Sequence, residues 1–169
     1  AMVDKFSDNE TLNRILTEAS EFTCKEELGS LMADAMRVQA NADISVQNSG
    51  GVRYETKPAG HFTVSDVYRL DPFSNELVMY TLSGDEVLEM LAAVCRADEY
   101  GPAYVSGIQY EILLGKDNKE VKRVKVRMPD GSEFDRKRSY RVVITSYIAS
   151  VADFEKVDEG QNLFLVTSD

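Results

Sequence analysis

The run Leu77-Val-Met-Tyr-Thr-Leu82 passes without a loop into Ser83-Gly-Asp-Glu86. The run is long and apolar enough for a buried strand. Ser83 followed three residues later by Glu86 has capping-box spacing, in which the hydroxyl and the carboxylate reciprocally satisfy the first free N–H groups of a helix. Behind it Val87, Leu88, Leu91, Val94 and Cys95 recur at helical spacing and give that helix one apolar face. A buried strand that turns directly into an amphipathic helix commits the chain to packing sheet against helix.

The rest of the chain fits around that unit. Residues through about Arg14 are polar and read as a leader, a vector-derived segment or a short helix, with one domain following from 15 to 169. Ile15 to Phe22 reads as a short strand. Thr23-Cys-Lys-Glu26 again has capping-box spacing and precedes Leu28, Leu31, Met32, Ala35 and Met36, the apolar face of a helix reaching about Ala40. Asp43 to Gln47 is a short alternating strand that ends in Asn48-Ser-Gly-Gly51. The second half is strand-rich: Tyr110–Leu114 and Val121–Met128 flank the turn-prone Gly115–Asn118. Pro129-Asp-Gly131 marks a tight turn before the strand Tyr140–Thr145. Helices early and strands late indicate an α+β fold rather than a regularly alternating parallel sheet.

Composition narrows the chemistry. The 169 residues suit one domain, with 43% hydrophobic residues, eight Tyr and seven Phe for a core. A net charge of −10 opposes a nucleic-acid backbone as main partner, since counterion release needs a basic surface. The single His and two Cys leave few soft ligands for zinc. Cys24 and Cys95 fall on or beside apolar helix faces and read as buried free thiols, with a disulfide as the alternative. No run of eighteen apolar residues is present to span a membrane. Lys116 to Arg141 holds ten basic residues against five acids, a local +5, so the remainder sums to −15. That stretch can bind phosphate or nucleic acid. Its alternation with Val124, Val126 and Met128 equally fits a half-buried strand whose outer side is charged against aggregation.

Three segments carry candidate binding residues. Asn48-Ser-Gly-Gly-Val-Arg53 follows a strand, where adjacent glycines free the backbone to turn and Arg53 offers a planar fork to phosphate or carboxylate. The alternative is a plain turn. In Asp71-Pro-Phe-Ser-Asn75, Pro72 fixes a loop that either exposes Phe73 for stacking or packs it beneath. Tyr147 near a strand end and Asp153 add an aromatic ring and a carboxylate, or are an ordinary core tyrosine and a surface acid. No nucleophile elbow, Walker loop or clustered metal-ligand set accompanies them. The residues therefore describe a binding domain rather than a complete catalyst.

Glu27-Leu-Gly-Ser-Leu-Met-Ala-Asp-Ala-Met-Arg37, Ala42 to Arg53, Val64 to Asn75 and Leu82-Ser-Gly84 form an ordered series. It resembles the C-terminal domain of the 5′-nucleotidase and UDP-sugar hydrolase family. The resemblance implies a four-layer α/β/β/α arrangement with mixed sheets. It implies a nucleotide-recognition domain without catalytic residues or a cofactor of its own, the divalent metals belonging to a separate metallophosphoesterase domain in cis or in trans. Asn48 and Arg53 would contact base and phosphate or ribose. Phe73 with Asn75 beside it would cover one face of the base, Tyr147 would stack on the other, and Asp153 would hold the ribose hydroxyls. A periplasmic or extracellular location is implied as well. Departures from the family are Lys25 alone where arginines are usual, Ser74 for a glycine, and Val151-Ala152 for two glycines. They leave a second reading, an interaction module that kept the fold and lost the pocket.

Overall fold

A computed structural model of the chain describes residues 9–97, 101–116, 120–153 and 161–163. Residues divide into two compact units, one from 1–28 and 51–74, the other from 29–50 and 75–169.

The first unit holds helix α1 (Asn9–Asn13), strand β1 (Ile15–Ala19), strand β3 (Gly60–Thr63) and helix α3 (Val64–Leu70). β1 and β3 pair antiparallel, and Phe22 bridges Lys57 beyond them. The Phe22 and Phe62 rings meet edge to face at 6.3 Å, and the Lys57 ammonium lies 5.4 Å from the centre of Phe62. α3 follows β3 without a loop because Thr63 and Asp66 form a reciprocal capping box: Asp66 N–H donates to Thr63 Oγ1 (3.2 Å) and Thr63 N–H to Asp66 Oδ2 (2.8 Å). Thr63-Val-Ser-Asp66 carried that signal in sequence.

The second unit is built on a mixed sheet of β2 (Ile44–Gln47), β4 (Leu77–Ser83), β5 (Tyr104–Ser106), β8 (Ser139–Thr145) and β9 (Gln161–Leu163), in the order β5-β2-β8-β4-β9. β2 and β8 run parallel; the other pairs are antiparallel. All four residues of β2 are buried, so the alternation expected there is absent: the strand is covered on both faces. Helix α2 (Lys25–Gln39), most of which belongs to this unit, covers one face, where Met36 and Ala40 meet Leu77, Met79 and Val143. Ser45 Oγ donates to the Ala33 carbonyl (2.5 Å). Gly29 lies so close to Tyr104 that a Cβ would enter its ring. The buried residues of α2 are thus Leu28, Gly29 and Ala33, with Ala40 just beyond its end; of the expected face Leu28 is buried and Met36 packs inward, but Leu31 and Ala35 are exposed. The N-terminal cap also differs from expectation. Thr23 N–H and Oγ1 donate to Glu27 (2.6 and 3.2 Å) rather than Glu26, because Lys25 is the first helical residue and Glu27 the third.

On the opposite face, Ile44, Val46, Val78, Tyr80, Val142 and Ile144 pack with Val87, Met90, Leu91 and Val94 of helix α4 (Gly84–Ala97). The capping box at its start forms as its sequence indicates: Ser83 N–H donates to Glu86 (2.6 Å), and Glu86 N–H to Ser83 Oγ (3.3 Å). The hairpin of β6 (Gln109–Leu114) and β7 (Val121–Arg127) packs on α4, with Val124, Val126 and Phe134 joining the core. The layers of this unit run α2, sheet, α4, hairpin. The fold is α+β with mixed sheets, as expected, while the layers within this unit run α/β/α/β rather than the α/β/β/α order that the resemblance implies. Cys24 and Cys95 form no disulfide, as expected, but are half-buried rather than buried.

Candidate nucleotide-binding residues

Each unit carries part of the candidate set. On the first, Arg53 N–H donates to the Leu70 carbonyl (2.9 Å), which fixes its backbone against the end of α3. Pro72 cannot continue a helix, and Asp71 closes an Asx turn by accepting from Phe73 N–H at 3.2 Å. Phe73 is consequently 47% exposed, which favours the stacking reading over a ring packed beneath the loop. The Arg53 guanidinium carbon stands 5.9 Å from the centre of that ring. Burial pushes the Asp71 carboxyl above the usual range, against the pull of the Phe73 N–H.

On the second unit, Asn48 is buried at the end of β2, and its carbonyl accepts from Gln47 Nε2 at 3.3 Å. The loop behind it is a 3₁₀ turn, Ser49–Gly51, and neither Gly50 nor Gly51 has positive φ, so the turn does not require left-handed backbone there. Asn75 Oδ1 accepts from Ser146 Oγ (3.4 Å), while Ser146 N–H donates to Glu76 O (2.8 Å) and Glu76 N–H to Ser146 Oγ (3.1 Å). These bonds clasp the start of β4 to the start of helix α5 (Ser146–Val151). Tyr147 stands two residues beyond the end of β8, near a strand end as expected, and is the second residue of α5, whose first turn is capped by Thr145 Oγ1 accepting from Ile148 N–H (3.3 Å). Its ring is 43% exposed, unlike a core tyrosine. Asn48, Tyr147, Val151 and Ala152 border one crevice too tight to admit a water molecule, so the structure brings Asn48 and Tyr147 near one another without opening a cavity between them. Asp153 follows α5 and is exposed. Ala152, buried at φ −83° and ψ 115°, has a backbone that any L-residue adopts, so no glycine is needed there.

Among the described residues no three His, Cys, Asp or Glu side chains cluster to hold a metal ion, and no helix is long and apolar enough to cross a membrane.

A 5′-nucleotidase precursor from Thermus thermophilus has the same mixed α+β fold: it superposes with a TM-score of 0.68 at 29% identity, over 90% of this chain and 34% of that one. Residues 6–157 match the family model of the 5′-nucleotidase C-terminal domain, and the chain belongs to that family. It is 36% identical over 135 residues to a 5′-nucleotidase of Vibrio parahaemolyticus (78% of this chain, 22% of the relative). It is 32% identical over 124 residues to Endonuclease YhcR of Bacillus subtilis (73% of this chain, 10% of the relative). The chain therefore spans a tenth to a quarter of the length of the curated relatives it matches.

Proposed function

We propose that this chain is the nucleotide-recognition domain of a 5′-nucleotidase-type phosphohydrolase. The reaction would be carried out by a metal-binding catalytic domain, elsewhere in the same chain or on a partner, in the periplasm or outside the cell. The observation that carries the reading is the loop pair Arg53 and Phe73, an exposed ring beside a guanidinium, within a chain of this family. In the proposed assignment Phe73 and Tyr147 stack on the base, Asn48 and Asn75 hydrogen-bond its edge, Arg53 takes phosphate or ribose and Asp153 the ribose hydroxyls.

Magnitudes set the strength expected of the domain by itself. Two stacking faces at about 1–3 kcal/mol each and one charged hydrogen-bond set at about 1.5–3 kcal/mol are opposed by an association cost of about 4 kcal/mol or more. Millimolar affinity corresponds to about −4 kcal/mol, and the domain falls near or below that. Titration calorimetry with adenosine, AMP and UDP-glucose tests the reading. Weak, roughly millimolar binding of at least one is expected; submicromolar binding contradicts the arithmetic, and no binding at all favours the interaction module.

A further inference from the structure

An open groove of about 760 Å³ runs between α4 and β7, in the second unit and among residues that nucleotide recognition does not use. Leu88, Glu89 and Ala92 form its helical wall, and every residue from Val121 to Arg127 borders the other side. Side chains along a strand alternate between faces. A groove lying over a face would meet every second residue, so a border of seven consecutive residues marks the strand's edge. β6 occupies the opposite edge of β7. Along the groove, one bridge between Arg127 and Glu133 is the only strand-type pairing among the described residues.

The lining holds Lys122, Arg123, Lys125, Arg127 and Arg136 against Glu89 and Glu133, a net +3 in a chain of net −10. Lys122, Lys125 and Arg136 pair with Glu120, Glu111 and Asp85. Among the described residues Arg123 and Arg127 form no ion pair.

We propose that β7 accepts an acidic, extended segment of a partner protein as a third strand of the hairpin. The edge supplies main-chain hydrogen bonds, Leu88, Ala92 and Phe134 receive alternate apolar side chains, and Arg123 and Arg127 meet carboxylates. A second copy of the chain is a poor occupant, because pairing β7 with β7 sets like charges opposite one another. A nucleic-acid backbone would satisfy the charges and leave the strand edge and the apolar wall without partners.

The test uses the whole chain and a fluorescein-labelled ten-residue peptide of alternating Glu and Val. A Lys/Val peptide and a twenty-residue oligothymidylate serve as comparisons. Saturable anisotropy with the acidic peptide is expected, weakening at least fivefold between 50 and 500 mM NaCl as screening grows (about 10 Å Debye length at 0.1 M). Arg123→Glu with Arg127→Glu should weaken it at least tenfold, and Lys137→Glu, outside the groove, less than twofold. Amide shifts in the unaltered chain should map to 121–127, a readout that does not depend on how the variants fold. Equal affinity for the Lys/Val peptide, tighter binding of the oligothymidylate through the same residues, peptide shifts elsewhere, or self-association through β7 in sedimentation would each overturn the proposal.

Discussion

The Arg53 guanidinium carbon lies 5.9 Å from the centre of the Phe73 ring, near the outer limit of cation–π attraction at about 6 Å. Two loops of the first unit thereby present a cation and a π-face side by side, each accessible to solvent. The pair separates by ligand. Phe73→Ala should weaken adenosine and AMP alike, by about 1–3 kcal/mol, or about fivefold and more. Arg53→Ala should weaken AMP more than adenosine, since only AMP carries the charge the guanidinium meets. Competition calorimetry against wild type reads both; an equal loss for the two ligands in Arg53→Ala would remove the phosphate role.

Catalysis is assigned to another domain, so the chain alone should not turn over nucleotide. Incubated with AMP and added Mg²⁺, Mn²⁺ or Co²⁺, the purified chain should release phosphate no faster than a protein-free blank. Metal-dependent release that follows the chain through several purification steps would contradict the division of labour.

The capping carboxylate Asp66 makes folding pH-dependent. Burial raises its pKa, but the Thr63 N–H and hydroxyl, the Lys57 ammonium at 3.6 Å and the Tyr54 hydroxyl together outweigh it, so the net shift is downward. A carboxyl held lower in the folded than in the unfolded state adds stability that is complete above the unfolded pKa, about 3.9, and is lost as pH falls through the folded one. Asp66→Asn should therefore lower stability by about 1 kcal/mol at pH 7. Urea melts at pH 7 and pH 3 should show that gap closing in acid; a gap independent of pH would contradict the assignment.

Asp71 behaves in the opposite sense. Its carboxyl is raised by burial, so ionisation penalises the folded state, and stability declines as pH rises from the unfolded pKa of about 3.9 through the folded value. Asp71→Asn keeps an acceptor for the Phe73 N–H and carries no charge. It should be more stable than wild type at neutral pH, with the difference vanishing below about pH 4. Thermal melts across that range check it, and a variant less stable than wild type at pH 7 would refute it.

Local signals were legible where they act over three or four residues. The Ser83–Glu86 box, the strand before it, the Asp130 turn and the charged outer side of β7 all stand where the residue pattern put them. The face of α2 was not legible, because Gly29 and Ala33 are buried by close backbone approach to Tyr104 and Ser45, which hydropathy does not register. Nor was α5: six residues give too little periodicity, and Thr145 lacks the acidic partner that announces a cap. The loops and rings holding the candidates were legible from their turn chemistry, but the role of each residue was nameable only through the ordered family motifs. That Asn75 is bonded to Ser146 depends on a contact between segments some seventy residues apart.

The central claim is that this domain recognises nucleotide through the six candidate residues. It is tested most directly by following backbone amide resonances during titration with AMP. Saturating shifts are expected at Asn48, Arg53, Phe73, Asn75, Tyr147 and Asp153, with a dissociation constant near 1 mM, about −4 kcal/mol. Shifts absent from these six positions at saturating AMP, or no shifts at all, would contradict it.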